Sequence, residues 1–364
     1  MYKRQGLTQL GRIEYTHKGG KANTDFIDNS AGVDCSDHEV NIKILVQALL
    51  EDGKYNAKTR VKLLESMTDN VSELVLKNNY AQTRALSQME FLSKNRVGAK
   101  AHLMRVLEKR GLLDREIEFL PSNQELQQRQ ASGQGLSRAE LCVLLSYSKL
   151  ALFNDLLATD SLDDPWYDSV IRNYFPKKLQ KIDQKYLDQH RLKKEIIATL
   201  LTSQVIDRMG ATFMQRAFED TGASVGAIVK SFIVATQLFD AEEIWNQIED
   251  HEFIIKPEHQ IKASLVVWQQ IRHAVRWILN SYGHKFSIQD VVNDLKADIK
   301  KFAKGMDKFL PQKDINAMTR RLDTLKKQSF PEALALKIVQ TELSFAALDA
   351  VSYTHLTLPT TPYV

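Results

Sequence analysis

The residues best suited to chemistry are gathered in one run, Asn23-Thr24-Asp25-Phe26-Ile27-Asp28-Asn29-Ser30-Ala31-Gly32-Val33-Asp34-Cys35-Ser36-Asp37-His38-Glu39. Ser36 offers a neutral hydroxyl, Asn29 an amide that both donates and accepts, and Gly32 a backbone that a ligand can approach closely. Asn, Ser and Gly also favour turns for purely local reasons, so the residue types alone are equally those of an ordinary turn. Asp34, Asp37, His38 and Glu39 form the densest titratable group. As a metal site the group is poor: neighbouring positions on a helix entry diverge, and His38-Glu39 lacks the second His four residues on that a zinc helix uses. A helix entry accounts for it better, with Ser36 and Asp37 as caps and Glu39 in a first turn whose dipole favours acids.

Elsewhere the chemistry thins out. His190 and Arg191 could suggest phosphate or acid–base work, but they suit the first turns of a helix, with Glu195 spaced to pair with Arg191. Trp268 and Trp277 fit helix packing better than a stacking platform. The chain has no Gly-x-Gly-x-x-Gly, no phosphate-binding Gly-x-x-x-x-Gly-Lys loop and no Gly-x-Ser-x-Gly elbow.

The elements that must hold the run are predicted as a strand at Phe26-Ile27, a tight turn through Asn29 to Gly32, and a helix from Val40. Before them, Leu7 to His17 repeats apolar residues at helical spacing and stops at Gly19-Gly20. Only this part, to about Leu50, has an α/β character. From Asn56 to Ala350 apolar residues recur every three or four positions, which predicts helices nearly throughout. Ser137 and Glu140 make a capping box, with Leu136 and Leu141 placed for a hydrophobic staple. Asp164-Pro165 opens a second helix and His190 to Arg208 a third. Thr212, Ser224, Pro257, Ser287, Asp314 and Pro331 open others, the Pro257 helix keeping Ile261, Leu265, Trp268, Ile271, Val275 and Ile278 on one face. The Gln-rich stretch Ser122 to Gln134 reads as a loop or a joint between sub-domains. The fold class is mainly α: the closing edge of an α/β domain, then a large all-helical domain.

Composition is that of a globular chain, 43% hydrophobic and 26% charged. A formal net charge of +4 argues against a nucleic-acid surface as the main business. No apolar run approaches the roughly 20 residues of a membrane span, and Cys35 and Cys142 give neither a disulfide framework nor a metal pair. A soluble, cytoplasmic protein is expected.

The run resembles the last active-site segment of glutamate dehydrogenases, Pro-Asp-x-x-Ala-Asn-Ala-Gly-Gly-Val-x-x-Ser-x-x-Glu. Asp25, Asn29, Gly32, Val33, Ser36 and Glu39 fall on that pattern, whereas Asp28 and Ala31 depart from it. The form Asp-Cys-Ser-Asp-His-Glu-Val-Asn-Ile-Lys is similar to the large, NAD-specific bacterial enzymes. So are Leu136-Ser137-Arg138-Ala139-Glu140-Leu141, Tyr174-Phe175-Pro176, His190 to Thr199, and Thr212-Phe213 with Glu219 to Ser224. The resemblance implies NAD as cofactor and L-glutamate and 2-oxoglutarate as substrates, with a homo-oligomeric parent. It implies that Ser36 bonds the substrate's side-chain carboxylate, that Asn29 touches substrate or the nicotinamide-ribose end of the cofactor, and that Gly32 lets the cofactor approach. The family's dinucleotide fingerprint, catalytic lysine and catalytic aspartate precede this segment, so no catalytic residue is expected in this chain and no activity from it alone.

On that reading residues 6–50 end the catalytic domain and residues 51–350 form the C-terminal helical domain. Residues 1–5 and 351–364 read as translated sequencing adapter, which would make the chain a piece of a longer gene. The rival reading is a non-enzymatic helical scaffold whose first turn merely resembles a dehydrogenase.

Overall fold

The computed structural model describes residues 6–344, 347 and 348, so both segments read as adapter lie outside the described residues. Among the described residues there is no strand, and no single helix is long and apolar enough to cross a membrane. The chain divides between Gln215 and Arg216 into two compact units.

The first unit contains α1 (Gln9–His17), α2 (Asp25–Asp28), α3 (Ser30–Glu51), α4 (Ala57–Glu65), α5 (Thr68–Phe91), α6 (Val97–Lys109), α7 (Asn123–Ala131), α8 (Arg138–Leu157), α9 (Tyr167–Tyr174), α10 (Gln184–Asp188) and α11 (Lys193–Met209). Its axis is α8, which packs against α1, α5, α6 and α11. Leu141, Cys142, Val143, Leu144 and Leu145 are all buried, so the start of α8 is enclosed on every side. Each such Leu or Val contributes about 1.5–3 kcal/mol when fully buried. The predicted capping box starts the helix: Ser137 Oγ accepts from the Glu140 amide at 3.3 Å, and Glu140 Oε2 accepts from the Ser137 amide at 2.7 Å. Glu140 is itself buried, and its charge is met by Arg129 on α7 at 2.9 Å.

The second unit contains most of α12 (Phe213–Thr221), then α13 (Val225–Leu238), α14 (Ala241–Glu249), α15 (Pro257–Tyr282), α16 (Ile288–Lys304), α17 (Met306–Phe309), α18 (Gln312–Lys327) and α19 (Glu332–Leu343). Here α13 is the axis, packed by α14, α15 and α16 and buried at Ile228, Val229, Phe232, Ile233 and Val234. The predicted face of α15 is the buried one at Trp268, Ile271, Val275 and Ile278. Between α13 and α14, Asp240 takes a left-handed turn at φ 47 and receives Lys296 and Lys300, each at 3.1 Å.

Three expectations are corrected. Phe26-Ile27 is not a strand; both residues lie in α2. A two-residue strand with no neighbouring strand cannot satisfy its backbone, whereas a helical turn does so locally. The helix expected from Val40 begins ten residues earlier, at Ser30, so Ser36 and Asp37 are interior residues rather than caps. The Gln-rich stretch is not a loop: Ser122 and Glu125 form a capping box and the chain is helical over Asn123–Ala131, leaving only 132–137 as the connection. Gln is an adequate helix former, and the single buried Leu126 suffices to seat α7 on α6.

Candidate functional site

Asn29, Gly32 and Ser36 come to one exposed face of α3, at the helical spacing of three and four residues. Asn29 is the residue between α2 and α3. A Cβ on Gly32 would stand 3.0 Å from Asn29 Oδ1, so the missing side chain makes room for the Asn29 amide. Ser36 Oγ reaches back to the Gly32 carbonyl at 3.4 Å, near the limit of hydrogen-bonding range. Phe26, Val33 and Val40 are exposed around the same part of α2 and α3. Glu39 pairs with Lys43 one turn on.

Residues that the sequence reading did not single out hold this face in place. Asn79 of α5 donates to the Ile27 carbonyl at 2.9 Å and to Ser30 Oγ at 2.7 Å, fastening the α2–α3 junction from both sides of Asn29. Gln82 adds a contact to Ser30 Oγ at 3.3 Å, and Asn78 donates to Asp34 Oδ2 at 2.8 Å. The approach to α2 is fastened as well. Buried Arg12 donates to the Asn23 carbonyl and pairs with Asp25, both at 2.7 Å, and Arg138 donates to Asn23 Oδ1 at 2.6 Å. Asp25, one of the pattern residues, is thereby an anchor of the loop.

The opposite face of α3 carries a buried polar cluster. The His38 ring stacks on Tyr174, with centroids 4.2 Å apart and planes 13° apart, and His38 Nε2 lies 3.7 Å from Asp34 Oδ1. His38 Nδ1 has no hydrogen-bond partner among the described residues. Burial pushes the His38 imidazole below its usual pKa, against the opposing pull of Asp34 and Asp37. Burial, then the Asp34 charge, raises Asp37. Asn41 Nδ2 donates to the Tyr174 hydroxyl at 2.9 Å. Next to it, His190 Nε2 meets the Asn41 carbonyl at 3.1 Å while His190 Nδ1 accepts from the Leu192 amide at 3.1 Å. That pairing fixes one neutral tautomer, with the proton on Nε2. The titratable run therefore splits in two: His38 faces the core, and Glu39 faces out.

His190 stands before α11 rather than in its first turn, and no ion pair joins Arg191 to Glu195 among the described residues. Both line a cavity of about 510 Å³ together with Asp168, Asp188, Lys193 and Lys194. Both of its lysines are held by carboxylates. Lys193 pairs with Asp168 at 2.9 Å and Asp188 at 2.7 Å, and Lys194 with Asp163 at 3.0 Å.

Two family profiles match the chain. One, described as glutamate dehydrogenase, C-terminal, covers residues 133–359, more than half of the chain. The other, described as bacterial NAD-glutamate dehydrogenase, catalytic domain, covers residues 3–89. The chain is 38% identical over 346 residues, 95% of its length, to the NAD-specific glutamate dehydrogenase of Halomonas elongata. It is 37% identical over 352 residues, or 97%, to that of Pseudomonas aeruginosa, and 33% identical over 346 residues, or 95%, to that of Mycobacterium tuberculosis. The aligned parts are 21%, 22% and 21% of those proteins, so the chain spans about a fifth of the length of the relatives it matches.

Proposed function

Because the chain belongs to the glutamate dehydrogenase family, we propose that it works as part of an enzyme that converts L-glutamate, water and NAD to 2-oxoglutarate, ammonium, NADH and a proton. The observation that carries this reading is the identity of 33–38% to NAD-specific glutamate dehydrogenases, sustained over 95–97% of the chain.

When bound, NAD accepts the hydride from the substrate α-carbon. The residues of this chain bind and orient. Ser36 presents its hydroxyl to the substrate side-chain carboxylate, exchanging its long contact with the Gly32 carbonyl for a stronger bond to a charged acceptor. Asn29 contacts the substrate or the nicotinamide-ribose end, and Gly32 keeps that approach open. The polar, exposed character of this face fits such ligands, while the lack of a glycine-rich fingerprint in the sequence means that these residues do not hold a dinucleotide unaided. Residues 6–50 contribute the edge of the catalytic domain, backed by α5, in which the catalytic-domain match ends. Residues 51–350 serve structure, assembly or regulation. The enzyme acts in the cytoplasm as a homo-oligomer, without nucleic-acid or membrane partners, and this chain by itself is inactive.

The test is NADH absorbance with L-glutamate and NAD, using the longer protein that contains this chain, alongside its Ser36→Ala variant. Glutamate-dependent NADH that falls about tenfold or more on substitution supports both the reaction and the Ser36 role. Unchanged activity in the variant removes Ser36 from the site. Absence of glutamate-dependent NADH from the folded protein overturns the reaction.

A further inference from the structure

We propose that the cavity of about 510 Å³ beside α11 binds an α-amino acid with an uncharged side chain, its carboxylate taken by Arg191 and its ammonium by Glu195. Asn29, Gly32 and Ser36 line no part of this cavity, and nothing in it depends on the reaction proposed above. Three observations converge on it.

The first is space. The cavity lies within the first unit, where α9 and the start of α11 meet the short turn Asp160–Asp163. Its volume falls in the range of roughly 300–1,000 Å³ in which small-molecule sites are built. Leu162, Tyr167 and Ile197 supply an apolar wall, each of them at most 3% exposed. The Tyr167 hydroxyl makes no hydrogen bond among the described residues, which leaves one neutral donor in that wall.

The second is the charge that remains once the pairs are counted. Lys193 is held by Asp168 and Asp188, and Lys194 by Asp163. Asp164 accepts from the Trp166 amide at 3.0 Å. One cation and one anion of the lining are left. Among the described residues neither the Arg191 guanidinium nor the Glu195 carboxylate makes a hydrogen bond or an ion pair. Residues four apart meet on a helix, but Arg191 stands in the turn before α11, so the two do not. They line one cavity without cancelling each other. A ligand that satisfies both carries a carboxylate and an ammonium, and an α-amino acid bears the two on one carbon. A charged side chain would find every other charge of the lining engaged, so the side chain that fits is uncharged.

The third is the frame that holds the two charges. His190, next to Arg191, is fixed through both ring nitrogens, to the Asn41 carbonyl and the Leu192 amide, each at 3.1 Å. Lys193 ties the start of α11 to α9 through Asp168 and to α10 through Asp188. The backbone that carries Arg191 and Glu195 is thus set before any ligand arrives, which lowers the ordering cost of binding.

Calorimetric titration of the full chain tests the site, with L-valine, isobutylamine and 3-methylbutanoate as probes. Isobutylamine is valine without its carboxylate, and 3-methylbutanoate is valine without its amine. Saturable binding of L-valine is expected, with each truncated probe about tenfold weaker or more. Arg191→Gln and Glu195→Gln should each weaken L-valine about tenfold or more. Both side chains are exposed and make no bond in the fold, so the variants should fold like wild type, which their circular dichroism checks. Absence of saturable L-valine binding overturns the site. So does binding that survives either substitution unchanged, or a truncated probe that binds as tightly as L-valine.

Discussion

The His38 ring lies flat on the ring of Tyr174, 4.2 Å from centroid to centroid, on the face of α3 opposite Ser36. One 22-residue helix therefore carries an exposed row through Gly32 and Ser36 and a core-facing stack whose state depends on protonation.

Acid should weaken the fold through this stack. Burial holds His38 and His190 below the usual imidazole pKa, so the folded chain binds fewer protons than the unfolded chain as pH drops below about 6.5. Stability contributed by the neutral rings is complete above that value and is lost as pH falls towards their folded pKa. Urea melts at stepped pH should show this acid limb, and His38→Gln should flatten it relative to wild type. An unchanged limb in His38→Gln would remove His38 from the account.

Lys100→Met should stabilise the chain at neutral pH. The amine is lowered from 10.5 to about 8, so the folded state binds fewer protons than the unfolded state between those values. Stability therefore rises with pH across that window in the wild type, and below it the buried charge costs about 3 kcal/mol. The difference between wild type and Lys100→Met should shrink from that size towards zero as pH climbs from 7 to 10.5. Chemical denaturation at both ends of the range measures it.

The Lys149–Asp207 pair should be asymmetric to mutation. Asp207 is buried, its carboxyl pushed up by burial, and its Oδ2 sits 2.8 Å from Lys149 Nζ. Removing the lysine alone, as Lys149→Met, leaves a buried acid and should cost about 3–5 kcal/mol at neutral pH. Adding Asp207→Asn should return much of that loss. A double variant no more stable than Lys149→Met would contradict this.

Asn79→Ala should loosen the turn that carries Asn29. Two bonds are lost, to the Ile27 carbonyl and to Ser30 Oγ, for about 1–3 kcal/mol in the denaturation free energy. Ser36→Ala, by contrast, touches an exposed hydroxyl with one long contact and should stay within about 0.5 kcal/mol of wild type. That neutrality is what lets a change in NADH formation be assigned to the hydroxyl itself.

How much of this was legible follows from how far apart the partners lie. The starts of α8, α13, α15 and α16 were readable because Ser137, Ser224, Pro257 and Ser287 act on amides within three residues or fix the backbone locally. The mainly helical class followed from periodicity. Asn29, Gly32 and Ser36 are singled out by the family pattern, whereas their shared exposed face is visible only in the structure. The start of α3 at Ser30 is held from α5, 49 and 52 residues away, which no local signal reports. Likewise Asn41 meets Tyr174 across 133 residues and His190 across 149, so a run read as a helix entry is half core.

Arg138 reaches Asn23 over 115 residues of intervening chain. A ribosome adding about 5–20 residues per second would need on the order of ten seconds to deliver that guanidinium after Asn23 has been made. Throughout that interval the stretch ahead of Asn29 waits without one of its fastenings, available to chaperones and proteases. The earliest part of this chain to be synthesised is fully fastened only once the chain has grown 115 residues beyond it.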